Sequence, residues 1–135
     1  MYPAVQQVLL VALGSAIGGL TRWAVTDWFA AWFGRAFPWG TLFINVSGSL
    51  FLGWFYTIVD ERLALSEAVR LDPGSLRLLV ATGFTGAYTT FSTFEYESQR
   101  MLAGNLRLAA AAYIAVSVFL GLLAVQAGVG LASRR

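Results

Sequence analysis

Four stretches of this chain carry no Asp, Glu, Lys or Arg: residues 1–21, 36–59, 78–94 and 108–133. All sixteen charged residues fall between these windows or at the C-terminus. A helix needs roughly 20 apolar residues to cross the hydrocarbon core. A bilayer accepts only helices and closed barrels, because no water is there to satisfy the backbone. Four helix-length windows therefore predict an all-α membrane protein with four transmembrane helices per chain. The spans fall at about 4–23, 39–59, 78–100 and 106–131, in a single integral membrane domain over residues 1–135. The chain is 58% hydrophobic and 12% charged, against about 25% charged in an ordinary soluble domain.

The first window lacks a basic leading region and three spans follow it, so it reads as a span and not as a cleaved signal. There is no Cys and no His. That removes disulfides, thiol chemistry, Cys/His metal sites and imidazole acid–base catalysis. With no nucleophile–base pair either, the chain does not read as an enzyme. Its nine basic residues are all arginines. They are scattered, without the basic stripe that nucleic acid requires.

Span one holds Gly14, Ser15, Gly18 and Gly19. Small residues four apart let two helix backbones approach closely in lipid. Arg22 ends the span, placed to snorkel towards lipid phosphate. An aromatic patch follows, with Trp23, Trp28, Trp32 and Trp39 at headgroup level. Pro38 then opens span two. Residues 60–77 form the longest polar loop, and their middle, 61–70, has the makings of a short surface helix. The connection between spans three and four is short, which predicts antiparallel neighbours.

An even number of spans puts both termini on one side. Arg62, Arg70, Arg77, Arg134 and Arg135 then share that side, and Arg22, Arg35, Arg100 and Arg107 the other. Positive-charge asymmetry normally fixes orientation, and here the two sides nearly balance. Either the chain inserts both ways and pairs with an inverted copy of itself, or the 60–77 loop is cytoplasmic by a slim margin. Four helices are few to enclose a pathway, and a symmetric dimer is the commonest oligomer, so a homodimer is expected.

The run from Gly83 to Phe94, GFTGAYTTFSTF, is ill suited to face lipid. Polar groups at membrane depth face protein or a watery path. Gly83, Gly86, Thr89 and Thr90 weaken the helix and free backbone groups. Gly-interrupted membrane segments mark discontinuous helices whose bare carbonyls bind ions. Carbonyls near Gly86 and Thr89 suit a hard monovalent cation such as Na⁺. Phe91 and Phe94 share a face, and each ring presents a positive edge to which an anion is attracted. Core packing or lipid contact is the plainer role for such a pair.

In span two, Thr41, Asn45 and Ser49 are spaced by four along one face. They form either interhelical hydrogen bonds or a polar track. Tyr113, Ser117 and Gly121 give span four a similar choice between a hydroxyl rail and a packing seam. Glu95 and Glu97 fall at the membrane edge, where they are expected to be solvated. Glu97 shares a face with Phe94, so it is also a vestibule candidate.

Four motifs now stand in order: Gly18-Gly19-Leu20-Thr21-Arg22-Trp23, Gly40-Thr41-Leu42-Phe43-Ile44-Asn45-Val46-Ser47-Gly48, Gly83-Phe84-Thr85-Gly86 and Thr89-Thr90-Phe91-Ser92-Thr93-Phe94. In motif, spacing and span plan the chain resembles the small fluoride channels of the Fluc (CrcB) family. The resemblance implies an antiparallel, dual-topology homodimer in the inner (plasma) membrane, its third helix broken near the middle, with two passive fluoride pores. It implies a structural Na⁺ at the dimer centre on the Gly86 and Thr89 carbonyls, pore rings at Phe91 and Phe94, and a pore amide at Asn45. It further implies a polar lining from Thr41, Thr93, Tyr113 and Ser117, and a vestibule that includes Glu97 and Arg22. The chain departs from the family pattern at Ala87, where a second glycine is usual, and at Tyr88, where an apolar residue is usual. A tighter break is expected there. The competing reading, a small dual-topology multidrug or cation transporter, needs a membrane-embedded carboxylate. None lies in a charge-free window.

Overall fold

The computed structural model describes residues 4–60 and 72–133. The surface helix expected at 61–70, and Arg62, Arg70, Arg134 and Arg135 of the charge balance, lie outside the described residues.

All regular structure among the described residues is helical. Helix α1 is Ala4–Phe33 and α2 is Trp39–Ile58. A short α3, Pro73–Leu76, leads into a π-wound stretch, Arg77–Thr85, and then α4, Gly86–Tyr88. Helix α5 is Phe91–Ala103 and α6 is Arg107–Ser133. Among the described residues, α1, α2 and α6 are long and apolar enough to cross a membrane. The segment from α3 to α5 is interrupted by two non-helical residues, Thr89 and Thr90.

The element ends have local causes. Asp72 caps α3 by accepting from Ser75 N–H, and Pro73 fills the first helical position, where its missing donor is harmless. Helix α1 does not stop near Trp23 as expected but runs ten residues further. Nothing between Arg22 and Phe33 breaks a helix; Gly34 does, with φ +73° and its N–H bonded to the Ala30 carbonyl at 3.0 Å, as a C-terminal glycine does. The α5–α6 turn uses Asn105 at φ 60°, a conformation Asn tolerates better than most side chains.

Two close seams hold the helices together. Gly14 and Gly18 are buried on α1, and a Cβ on either would strike the backbone of the π-wound stretch at Leu79 or Phe84. On α2 and α6, a Cβ on Gly53 would meet the Val125 carbonyl, and one on Gly128 the Leu50 carbonyl. These contacts explain the small-residue spacing of span one: backbone packing, not side-chain bulk, sets the distance between helices. Gly19, by contrast, has nothing within 4 Å. Helices α5 and α6 meet through a buried cluster of Phe94, Met101, Ala110 and Tyr113.

Candidate functional site

The interruption at Thr89–Thr90 is held from α2. Asn45 donates from Nδ2 to the Thr90 carbonyl at 3.0 Å and accepts from Thr90 N–H at its Oδ1 at 2.8 Å. One side chain thus replaces the partner that the Thr90 N–H loses by leaving the helix, and adds a donor to the Thr90 carbonyl, which as an N-cap carbonyl also takes the first bond of α5. Thr90 is extended, with φ −152° and ψ 119°. Its hydroxyl oxygen accepts from Thr93 N–H at 3.3 Å, while its O–H donates to Thr93 Oγ1 at 2.9 Å. This is an N-cap, and it starts α5.

These bonds release carbonyls. In an unbroken α-helix the Gly86 carbonyl accepts from the N–H of residue 90, and the Thr89 carbonyl from that of residue 93. Here the first donor goes to Asn45 and the second to the Thr90 side chain. The Thr89 carbonyl faces positive charge instead, from Arg22 Nη1 at 3.5 Å. Arg22 therefore reaches back to the break, where snorkelling had been expected. A long cationic side chain inside a helical segment gains more from a bare carbonyl than from lipid phosphate when one lies within reach.

The break does not fall at the glycines. Gly86 is helical, with φ −62° and ψ −35°, and Ala87 follows it within α4. Gly83 serves the seam with α1, close to Gly14 and the Val11 carbonyl. Ala87 in place of a second glycine is thus compatible with the backbone, since neither position needs a left-handed conformation. The π-wound stretch just before the break carries its own side-chain bond, Thr85 O–H to the Val80 carbonyl at 3.0 Å, five residues back.

Beyond the break, Phe94 is buried against Tyr113, with ring centroids 5.2 Å apart. Phe91 lies 6.0 Å from Phe94 and is 73% exposed in the single chain. Next along the same face, Glu97 accepts from Thr41 Oγ1 at Oε1 and from Tyr113 OH at Oε2, each at 2.9 Å. This corrects the expectation that Glu97 is solvated like Glu95: two hydroxyls from α2 and α6 draw it half inside. Ser117, one turn beyond Tyr113, has a buried Oγ with no hydrogen-bond partner among the described residues. Ser49, the third residue of the span-two track, donates to the Asn45 carbonyl at 2.7 Å, so it is spent within its own helix. A cavity of about 480 Å³ opens between α1, the α1–α2 connection and α5. Thr41 and Glu97 line it together with Asp27, Arg35, Arg100 and Trp39.

Among the predicted residues, Asn45, Thr89, Gly86, Thr93 and Arg22 are gathered at the break, and Thr41, Glu97, Tyr113 and Phe94 in a second group. Sequence reasoning missed Thr90 as the residue that both caps α5 and is clamped. The Thr-x-x-Thr spacing carried that signal, since a Thr three residues before a helical N–H is a capping pattern. It also missed a bond between Tyr88 OH and Ser47 Oγ, 2.9 Å, which no spacing rule reveals.

Apolar helices of membrane length, and a further segment broken where hydroxyls and bare carbonyls collect, define a multi-pass membrane protein with an ion-directed polar interior. The chain belongs to the CrcB family: the family model described as CrcB-like protein, Camphor Resistance (CrcB), matches residues 9–129. Its relatives include three proteins each named "Fluoride-specific ion channel FluC". That of Trichormus variabilis is 42% identical over 127 residues, 94% of this chain and 88% of the relative. That of Chloroflexus aurantiacus is 45% identical over 124 residues, 92% of this chain and 93% of the relative. That of Acidobacterium capsulatum is 43% identical over 126 residues, 93% of this chain and 95% of the relative.

Proposed function

We propose that this chain is a fluoride-selective channel of the plasma membrane, passive and not enzymatic, assembled as an antiparallel, dual-topology homodimer. The segment from α3 to α5 is the fourth membrane crossing, and the whole chain is one integral membrane domain. The observation that carries this reading is the helix break at Thr89–Thr90, clamped by Asn45 and followed at once by Phe91 and Phe94. A lipid-facing helix gains nothing from such a break. An ion path gains unpaired dipoles.

Fluoride is small and strongly hydrated, so a selective path must replace water with fixed dipoles. The hydroxyls of Thr41, Thr93, Tyr113 and Ser117, the amide of Asn45 and the ring edges of Phe91 and Phe94 supply them without a fixed positive charge that would hold the ion. Ser117, whose Oγ is buried and unpartnered among the described residues, has a donor available for an anion. Phe91 is exposed in one chain, which suits a ring completed by the second subunit. HF permeates membranes and dissociates in a more alkaline cytoplasm, which traps the anion. The membrane potential then drives it out through an open path.

The donor set at the break fits a structural Na⁺. The carbonyls of Gly86 and Thr89 have lost their helical donors, and hard oxygen ligands suit a hard cation. Those carbonyls would hold the Na⁺, which would supply positive potential beside the path.

The test is fluoride efflux from liposomes containing only the purified protein, followed with a fluoride electrode, with chloride run in parallel. Fast fluoride and slow chloride release are expected. No fluoride flux, or chloride flux as fast, overturns the proposal.

A further inference from the structure

The last residue before the break is a buried tyrosine. Tyr88 is 8% exposed. Its ring lies parallel to that of Phe84, with centroids 5.7 Å apart and planes at 8°. Its hydroxyl is 2.9 Å from Ser47 Oγ on α2. Ser47 Oγ also lies 3.2 Å from the Ile44 carbonyl, to which its O–H can donate while its oxygen accepts from Tyr88. Beside them, a Cβ on Gly48 would press on Thr89 Cγ2 and lie 3.4 Å from Tyr88 Cδ1. Helix α2 therefore grips the broken segment at two levels, Ser47 on Tyr88 before the break and Asn45 on Thr90 after it.

The two grips act on opposite ends of one short piece of backbone. Asn45 fixes where α5 begins. Gly86–Tyr88 is a single turn, tied back along its own axis by Thr89 N–H and Oγ1 to the Thr85 carbonyl; a second anchor to α2 is what resists its rotating or winding on into Thr89 and Thr90. Either movement re-aims the Gly86 and Thr89 carbonyls. Tyr88 blocks it with a stacked ring and a hydroxyl–hydroxyl bond to α2. An apolar residue at position 88 would fill the same space without fixing the turn's rotation.

We propose that Tyr88 is a positioning residue for the cation site, its hydroxyl bond to Ser47 holding the Gly86 and Thr89 carbonyls in register with the Asn45 clamp. This rests on the reading of those carbonyls as the Na⁺ site. The bond is specific to a chain with Tyr at 88 and Ser at 47, and it takes the place of the backbone freedom given up at Ala87.

The experiment titrates Na⁺ against the thermal stability of the purified full-length protein in detergent, with a large organic cation keeping ionic strength constant. The samples are wild type, Tyr88→Phe, Ser47→Ala and the double variant. A ligand that binds only the folded state raises the melting temperature according to its affinity. Losing one buried hydrogen bond should raise the half-effective Na⁺ concentration about three- to tenfold in Tyr88→Phe. Ser47→Ala should do the same, and the double variant no more than either, because all three remove one bond. A Tyr88→Phe protein with wild-type Na⁺ dependence overturns the proposal. So does one that melts lower by the same amount at every Na⁺ concentration, or a double variant in which two separate effects multiply. Ser47→Ala carries the test by itself if Tyr88→Phe fails to fold. A wild type whose stability ignores Na⁺ while it still conducts fluoride sinks the carbonyl-site reading and this proposal with it, but not the channel.

Discussion

Asn45 does the most with a single side chain. It satisfies the N–H and the carbonyl of Thr90 together, and Thr90 has no other way to leave the helix cheaply. The Thr90 carbonyl keeps the first bond of α5, so losing the clamp leaves one half-buried N–H unpaired, at about 1–3 kcal/mol. Asn45→Ala is therefore expected to lower the melting temperature clearly and to abolish most transport; a variant with wild-type melting and flux would show that the break holds itself. Tyr113→Phe removes one of the two hydroxyls on Glu97. It should cost about 1–2 kcal/mol, the desolvation of a carboxylate oxygen left without its donor, read as a lower denaturation midpoint. An unchanged midpoint would mean that water takes the hydroxyl's place. At this scale the sequence was informative about residue type and much less so about partner. Asn45, Thr41 and Glu97 stood out as polar groups in apolar surroundings. That Asn45 would be spent on backbone, and Glu97 drawn inward, depends on residues 45 and 56 positions apart, which no local pattern encodes.

Among the elements, the glycines separate into those that meet a backbone and those that do not. Gly18 lies against the Phe84 carbonyl. Gly18→Ala must push α1 off the π-wound stretch, at about 1–3 kcal/mol for overpacking. Gly130 on α6 has nothing within 4 Å, so Gly130→Ala should leave stability level or raise it by up to about 1 kcal/mol, the helix propensity difference. Thermal melting of the two variants side by side checks this, and equal losses would contradict the seam. The charge-free windows located α2 and α6 to within a residue or two, because apolar length alone decides where a membrane helix runs. They misjudged α1, since one Arg and one Asp do not end a helix that meets no further Gly or Pro between residues 22 and 33. The weak-helix residues of span three, Gly83, Gly86, Thr89 and Thr90, included the two at which the helix is interrupted but did not single them out. Low propensity at Gly83 yields to packing against α1, whereas the Asn45 clamp and the Thr90 cap fix the break at Thr89–Thr90.

For the whole molecule, much apolar surface stays uncovered: Leu9, Leu13, Ile17 and Leu20 on α1 and Phe119 and Leu122 on α6 are each at least half exposed. Lipid takes part of that surface, and in the proposed assembly an inverted second copy takes the rest. If insertion is truly two-way, a cysteine introduced at Gly104 in this cysteine-free chain should react with an impermeant maleimide to about half from each side of intact cells. Labelling from one side alone would remove the dual topology.

The account stands or falls on whether the rings after the break line the path. Phe94→Ile keeps volume and apolarity in the Phe94–Tyr113 cluster while deleting the ring edge, so the dimer should still assemble. Fluoride efflux from liposomes of the Phe94→Ile dimer, set beside wild type at equal protein, is the direct measure. We expect the variant to be slower by at least about tenfold, the factor equivalent to 1.4 kcal/mol of lost stabilisation along the path. Equal rates would contradict the account.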